Sequence, residues 1–183
     1  MTHEQLVTPE FSRPLLVDQL PAKVSRHSIE AEPGECTALA ERLGLIEVKS
    51  LSAKVEAQPL ARSGFIRVNG RLTARVVQTC VVTLVPLEVT VEDAFELIFA
   101  PPEAILDEEE EIELSWEQQD PPDPIIDGCI DIGEVVVEHL ALALDPFPRA
   151  PDAVFKPLPE AQEAGDGRVN PFAVLSSLRQ KKE

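Results

Sequence analysis

The stretch Ile66-Arg67-Val68-Asn69-Gly70-Arg71-Leu72-Thr73-Ala74-Arg75-Val76 decides the fold. Ile66, Val68, Leu72, Ala74 and Val76 share one parity, and Phe65, Arg67, Asn69, Arg71, Thr73 and Arg75 share the other. That is the period-two alternation of a strand buried on one face. Asn69-Gly70 reads either as a two-residue hairpin turn or as a bend inside one long strand. The alternation keeps its phase across the pair, which favours the single strand. Upstream, Leu51, Ala53, Val55 and Ala57 alternate with Ser52, Lys54 and Glu56, and Ser63-Gly64 supplies turn residues. Downstream, the β-prone run Val77 to Val85 continues to Pro86. Leu87, Val89, Val91, Phe95, Leu97 and Phe99 then alternate again. Asp93 interrupts that apolar series and reads as a bulge. Pro101-Pro102 stop the strand.

Two helices flank these strands. Pro33 suits a first helical position and Glu35 a first turn. Cys36, Leu39, Ala40 and Leu43 recur at helical spacing, and Gly44 follows as a left-handed cap. This places Cys36 as a buried, inert thiol. Further on, Asp131 reads as an N-cap with Glu134 as its capping-box partner. Ile132, Val135, Val136, His139, Leu140, Ala143 and Leu144 form one apolar face, and Asp145-Pro146 end the helix. Leu15 to Val17 and Val24 to Ile29 read as short strands, because Pro14 and Pro21 exclude a long helix there.

The expected fold is therefore α+β, with an antiparallel, curved or barrel-like sheet of about 4–6 strands, two main helices and a short C-terminal helix. Residues 1–150 are expected to form a single domain with a mobile acidic loop at 103–124. Asp107-Glu108-Glu109-Glu110-Glu111 is a block of like charges that resists packing, and Asp120-Pro121-Pro122-Asp123-Pro124 is turn-forming. Residues 151–183 read as a linker followed by a short amphipathic helix, capped at Asn170, opened by Pro171 and ending in Arg179, Lys181 and Lys182.

Composition bounds the function. The 183 residues carry a formal charge of −17, with 44% apolar and 4% aromatic side chains. The charge is segregated along the chain: residues 1–80 are nearly balanced, 81–166 hold almost all the excess carboxylate, and 167–183 are basic. No apolar run reaches the ~18 residues of a membrane span, and the first residues lack the pattern of a signal peptide. Cys36, Cys80 and Cys129 are odd in number and far apart. They make neither a disulfide framework nor a zinc set, and a cytoplasmic setting is the economical expectation.

The candidate sites are binding surfaces. Arg67, Arg71 and Arg75 share one strand face with Phe65, about 13 Å between successive arginines. Cations with an aromatic on a sheet suit single-stranded RNA. The competing reading is a solvated face whose arginines pair with the chain's own acids. Asp107, Glu108, Glu109, Glu110 and Glu111 suit docking of a basic protein, against a merely solvated loop. They lack the spaced ligands and glycine turn of a calcium loop, so no metal is expected. Asp131, Glu134, Glu138 and His139 resemble an acid/base cluster, but capping and a core-edge histidine account for them better. Cys80 has no nearby histidine to make it a nucleophile. No phosphate loop, G-x-S-x-G or H-E-x-x-H is present, so no catalytic residue and no cofactor is expected.

The stretches Ala74 to Pro86, Phe95 to Pro101, Ile130 to Glu134, Glu138 to Arg149 and Asn170 to Leu175 resemble the YceD family of bacterial large-subunit ribosomal RNA accumulation proteins. Phe11-Ser12-Arg13-Pro14 resembles the opening common in its alphaproteobacterial members. The resemblance implies a non-enzymatic factor needed for accumulation of large-subunit ribosomal RNA. The charge split, rather than the family, suggests its partners: ribosomal RNA or a precursor for the basic face, a basic large-subunit ribosomal protein for the acidic middle, and no membrane. Many members carry a second cysteine three residues after the one matching Cys80, and more after the Pro-Arg near Arg149. Here Thr83 and Ala150-Pro151-Asp152 stand instead, so the resemblance implies no structural zinc in this chain.

Overall fold

The central strand is unbroken. A computed structural model describes residues 9–60, 64–106 and 121–155. In it β4 spans Ile66–Thr79. β3 (Glu47–Pro59) and β5 (Pro86–Ala100) pair antiparallel on either side of it. Gly70 is neither a hairpin turn nor a left-handed position. It faces Phe95 across the β4–β5 ladder, and a Cβ on it would come within 2.0 Å of the Phe95 ring. Glycine is there for space: the ring lies over the bare backbone of the neighbouring strand.

The order of the main sheet is β2-β3-β4-β5-β6, with β2 at Ser25–Glu30 and β6 at Asp123–Pro124. β6 runs parallel to β5, so the sheet is mixed rather than wholly antiparallel, and it is open rather than a closed barrel. A second, two-stranded sheet pairs β1 (Pro14–Leu16) with β7 (Cys129–Asp131). The two expected main helices are α1 (Pro33–Leu43) and α3 (Ile132–Ala143). Pro33 sits in the first turn of α1, and Gly44 caps it at φ 64°. The short α2 (Pro102–Leu106) falls where the sequence pattern gives only a loop. Together with β6 it draws both ends of the stretch read as the 103–124 loop into secondary structure. The block 107–111 and the C-terminal helix at 170–178 lie outside the described residues.

The core lies between one sheet face and the two helices. Leu51, Val55, Val68, Leu72 and Val76 meet Leu39 of α1, Val136 and Leu140 of α3, and Phe11, all nearly or fully buried. The opposite face, including Lys54, Arg71, Thr73, Arg75, Glu92 and Glu96, is exposed. The layering follows directly from the parity of the strands.

Two local expectations fail. Asp93 marks no bulge, because the β4–β5 register runs without a shift from Ile66↔Phe99 to Thr79↔Pro86. Its carboxylate stays on the inner parity because His139 of α3 receives it, with Nδ1 and Oδ2 3.1 Å apart. The irregularity falls instead in β3, between Val48 and Ser50. Likewise Val77 to Val85 is not one strand. β4 ends at Thr79, and residues 80–85 make the turn into β5, closed by Cys80 N–H to Val85 O and Leu84 N–H to Cys80 O, both 2.9 Å. Leu84 takes φ 60°, a left-handed conformation that no propensity scale assigns to leucine. The chain must reverse here for the next strand to pair, and that requirement outweighs local β preference.

Gly70→Ala should lower the urea midpoint of unfolding, by about 1–3 kcal/mol of stability, through overpacking against Phe95. Adding Phe95→Leu should recover part of the loss. Equal midpoints for Gly70→Ala and the wild type would show that the ring does not need this space.

Candidate binding surface

The exposed sheet face is built in columns. Arg67, Arg71 and Arg75 stand on the outer parity of β4, and Phe65, just before the strand, is half-buried beside them. The next column, on β5, is Glu88, Glu92 and Glu96. Antiparallel pairing sets the glutamates diagonally between the arginines, with Arg71 opposite Ala94 and Arg75 opposite Thr90. Arg67 Nε lies 3.5 Å from Glu96, and Arg75 Nε donates to Ser50 Oγ at 3.3 Å. Arg71 makes no ion pair among the described residues. On β2 and β3, Arg26 pairs with Glu56 at 2.7 Å and Lys49 with Glu88 at 2.5 Å. The Lys49 ammonium holds the Glu88 carboxyl below the usual range. Acids far along the chain thus sit beside its arginines. The Asn69 side-chain oxygen, between Arg67 and Arg71, has no hydrogen-bond partner among the described residues.

The suspected acid/base cluster is taken apart by the fold. Asp131 caps α3, accepting from Gly133 N at 3.0 Å and Glu134 N at 3.2 Å. Glu134 does not cap back. It ion-pairs with Arg42 of α1, which also reaches Glu10 at 2.9 Å. His139 stacks on Phe95, with centroids 4.3 Å apart, and turns to Asp93. It is a core-edge histidine with a carboxylate partner. Sequence reasoning gives Asp93 no such role. Its signal is a lone acid on an apolar parity, and its partner lies 46 residues away. Among the described residues no group of three or more His, Cys, Asp or Glu stands where it could hold a metal ion.

The opening Phe11-Ser12-Arg13-Pro14 also acquires a structural role. Ser12 Oγ and Arg13 N donate to the Asp131 carboxylate at 2.5 and 2.7 Å. The Arg13 guanidinium grips Glu35 of α1 with two bonds, at 2.7 and 2.8 Å, and lies 4.4 Å over the Phe11 ring. This segment passes so close to α3 that a Cβ on Gly133 would meet the Phe11 carbonyl at 2.1 Å. The clip fastens both helices to one end of the core.

Cys80 is fully buried. Its sulfur accepts backbone N–H groups from Thr83 at 3.4 Å and from Ala150 at 3.3 Å. Val81 N–H donates to Pro148 O at 2.9 Å, so the 80–85 turn and the segment after α3 are laced together. Hydrogen bonding from the Thr83 side chain, and then from the Ala150 N–H, draws the Cys80 thiol down to about 6. Cys36 behaves oppositely: it is buried at the base of α1, and burial raises its thiol.

Fold and surface together define a two-layer α+β protein with one sheet face packed by helices and the other charged and exposed among the described residues. The profile of the family described as "Large ribosomal RNA subunit accumulation protein YceD" matches residues 68–179, and the chain belongs to that family. The match begins inside β4, so α1, β1 to β3 and the Phe11–Pro14 opening precede it. No curated protein and no solved structure matches the chain. The family description concerns accumulation of large-subunit ribosomal RNA and names no enzyme activity. Among the described residues no helix is long and apolar enough to cross a membrane.

The geometry at Cys80 bears on the zinc that the resemblance implies for cysteine-rich members. The positions of their further cysteines converge here, but Thr83 and Ala150 contribute N–H donors to sulfur in place of thiolates. One sulfur with two backbone donors does not fit zinc, which takes four N, O or S ligands. The donors stabilise the lone thiolate that a metal would otherwise neutralise.

An ultraviolet thiolate titration of the folded protein should therefore show a transition near about 6 that Cys80→Ser abolishes, well below the ~8.5 of an unperturbed cysteine. The thiolate form dominates above that midpoint and is lost as the pH falls through it. A Cys80 transition at or above the unperturbed value would refute the role of the Thr83 and Ala150 donors.

Proposed function

We propose that the protein supports accumulation of large-subunit ribosomal RNA by binding, without catalysis, in the cytoplasm. In this reading the open sheet face bearing Phe65, Arg67, Arg71 and Arg75 contacts ribosomal RNA or its precursor. The block Asp107, Glu108, Glu109, Glu110 and Glu111 receives a basic large-subunit ribosomal protein. The observation that carries the RNA half is the exposure of Arg71 and Arg75 on the three-strand ribbon, beside a half-buried Arg67, with Arg71 free of any ion pair among the described residues. A sheet presents such cations at fixed spacing, which suits a backbone of regularly spaced phosphates. Membership of the family supplies the ribosomal context.

A second reading has its own support. The glutamate column of β5 borders the arginines, and Arg67 is already engaged by Glu96. Self-neutralisation of this kind weakens attraction for phosphate. It favours a protein-binding regulator or chaperone of a ribosomal protein that touches no RNA.

Affinity purification with RNA and protein identified in one eluate separates the two. Under the first reading, RNA cross-links directly, and Arg67→Ala, Arg71→Ala and Arg75→Ala together lower cross-linking. They also reduce the salt slope by about 0.7 for each phosphate that is no longer neutralised. Unchanged cross-linking in the triple variant removes the RNA half. Glu108 to Glu111 changed to Gln should weaken salt-sensitive capture of a basic ribosomal protein. Equal capture removes the docking role of the acidic block. Protein partners that survive nuclease in the absence of any cross-linked RNA favour the second reading.

A further inference from the structure

Several cations on the outer face have a carboxylate partner, but two neighbouring ones do not. Lys54 of β3 stands directly opposite Arg71 of β4. Both are exposed, and neither has a carboxylate within ion-pair distance among the described residues. Like charges directly opposite on one sheet face are destabilising. Elsewhere on this face the protein avoids that cost: Arg26 takes Glu56, Lys49 takes Glu88 and Arg67 takes Glu96.

The row on one side of the pair is small and hydroxylic. The row on the other side is Arg26, Glu56, Asn69 and Glu96, in which Glu56 is already taken by Arg26 and Glu96 by Arg67. In the same row across the sheet Lys54 is flanked by Ser28 and Arg71 by Ala94. The adjoining row sets Ser52 opposite Thr73, with Ser52 Oγ 3.5 Å from the Thr73 carbonyl. Ser28, Ser52, Lys54, Arg71 and Thr73 line a shallow cleft of about 210 Å³. Hydroxyl and guanidinium donors with an ammonium point charge are the donor set that phosphate recognition uses. At the ends of the hydroxyl row stand Glu30, opposite Ser52, and Glu92, opposite Thr73. These carboxylates repel a second anion, so the cleft suits one phosphate rather than a run of them.

We infer that the Lys54–Arg71 cleft is a subsite for a single backbone phosphate of RNA. The inference rests on the RNA half of the proposed function and deepens it. It moves the centre of binding from the arginine column to the β3–β4 seam and adds Lys54, Ser28 and Thr73 to the surface. The repulsion between the two cations is relieved when the phosphate enters.

The test is binding of a fluorescent single-stranded RNA to the full chain across a salt series. The variants are Lys54→Gln with Arg71→Gln and, for comparison, Arg67→Gln with Arg75→Gln. The Lys54/Arg71 pair should lose affinity by roughly tenfold at ~0.1 M salt and reduce the salt slope by about 0.7, the effect of one single-strand phosphate no longer neutralised. The Arg67/Arg75 pair should lose less. The urea midpoint of Lys54→Gln with Arg71→Gln should rise, since the change removes a repulsion and leaves the core untouched. A drop in that midpoint would overturn the repulsion argument. If the Lys54/Arg71 variant binds like wild type and the Arg67/Arg75 variant does not, the subsite is wrong and the RNA reading stands. If the wild type binds no RNA, both fall.

Discussion

The antiparallel ladder between β4 and β5 positions most of what matters in this protein. It runs from Ile66↔Phe99 to Thr79↔Pro86 without a slipped residue. A shift of one residue would turn every side chain of a strand to the other face. The Phe95 ring on Gly70 helps pin that register, because no other β4 position on the inner parity lacks a side chain. The same register carries Asp93 to His139 and sets Glu88, Glu92 and Glu96 beside Arg67, Arg71 and Arg75. Core and surface electrostatics are thus two consequences of one pairing.

The layer above the sheet is fixed at one end by a single carboxylate. Asp131 caps α3 while accepting from Ser12 and Arg13, and Arg13 extends the connection to Glu35 of α1. A second bond between the helices runs from Arg42 to Glu134. Such partly buried, charge-assisted bonds are stronger than exposed pairs, and their geometry is bidentate at Arg13. At the other end the 80–85 turn is held to the segment after α3 through the Cys80 sulfur and the Pro148 carbonyl. With α1 and α3 committed to one side, the opposite sheet face is left exposed among the described residues.

Much of this architecture was legible in the residues. The parity of β3, β4 and β5, the apolar faces of α1 and α3, the Gly44 cap and the Asp131 cap all depend on neighbours a few residues apart, and sequence displays those directly. The departures at 80–85 and at Asp93 have a shared cause. The turn at 80–85 is drawn from strand-forming residues, so it shows only once the β4–β5 pairing demands a reversal. Asp93 reads as a defect in a strand until a histidine on a distant helix supplies its partner. The candidate surface divides in the same way. Arg67, Arg71 and Arg75 can be read from spacing, whereas Lys54 joins them only when β3 is laid against β4.

The sequence by itself determined which faces are apolar, where the helices start and stop, and the family to which the chain belongs, because those features are written in local periodicity and motif. The distribution of charge in space was decided by the tertiary structure. Along the chain the arginines and the excess carboxylates are separate blocks, but the hairpin between β4 and β5 brings Glu88, Glu92 and Glu96 of the acidic block against the arginines. Coulomb interactions follow distance through space rather than distance along the chain. What reads as a polarised molecule in one dimension becomes an interleaved face in three, with the Lys54–Arg71 pair left over.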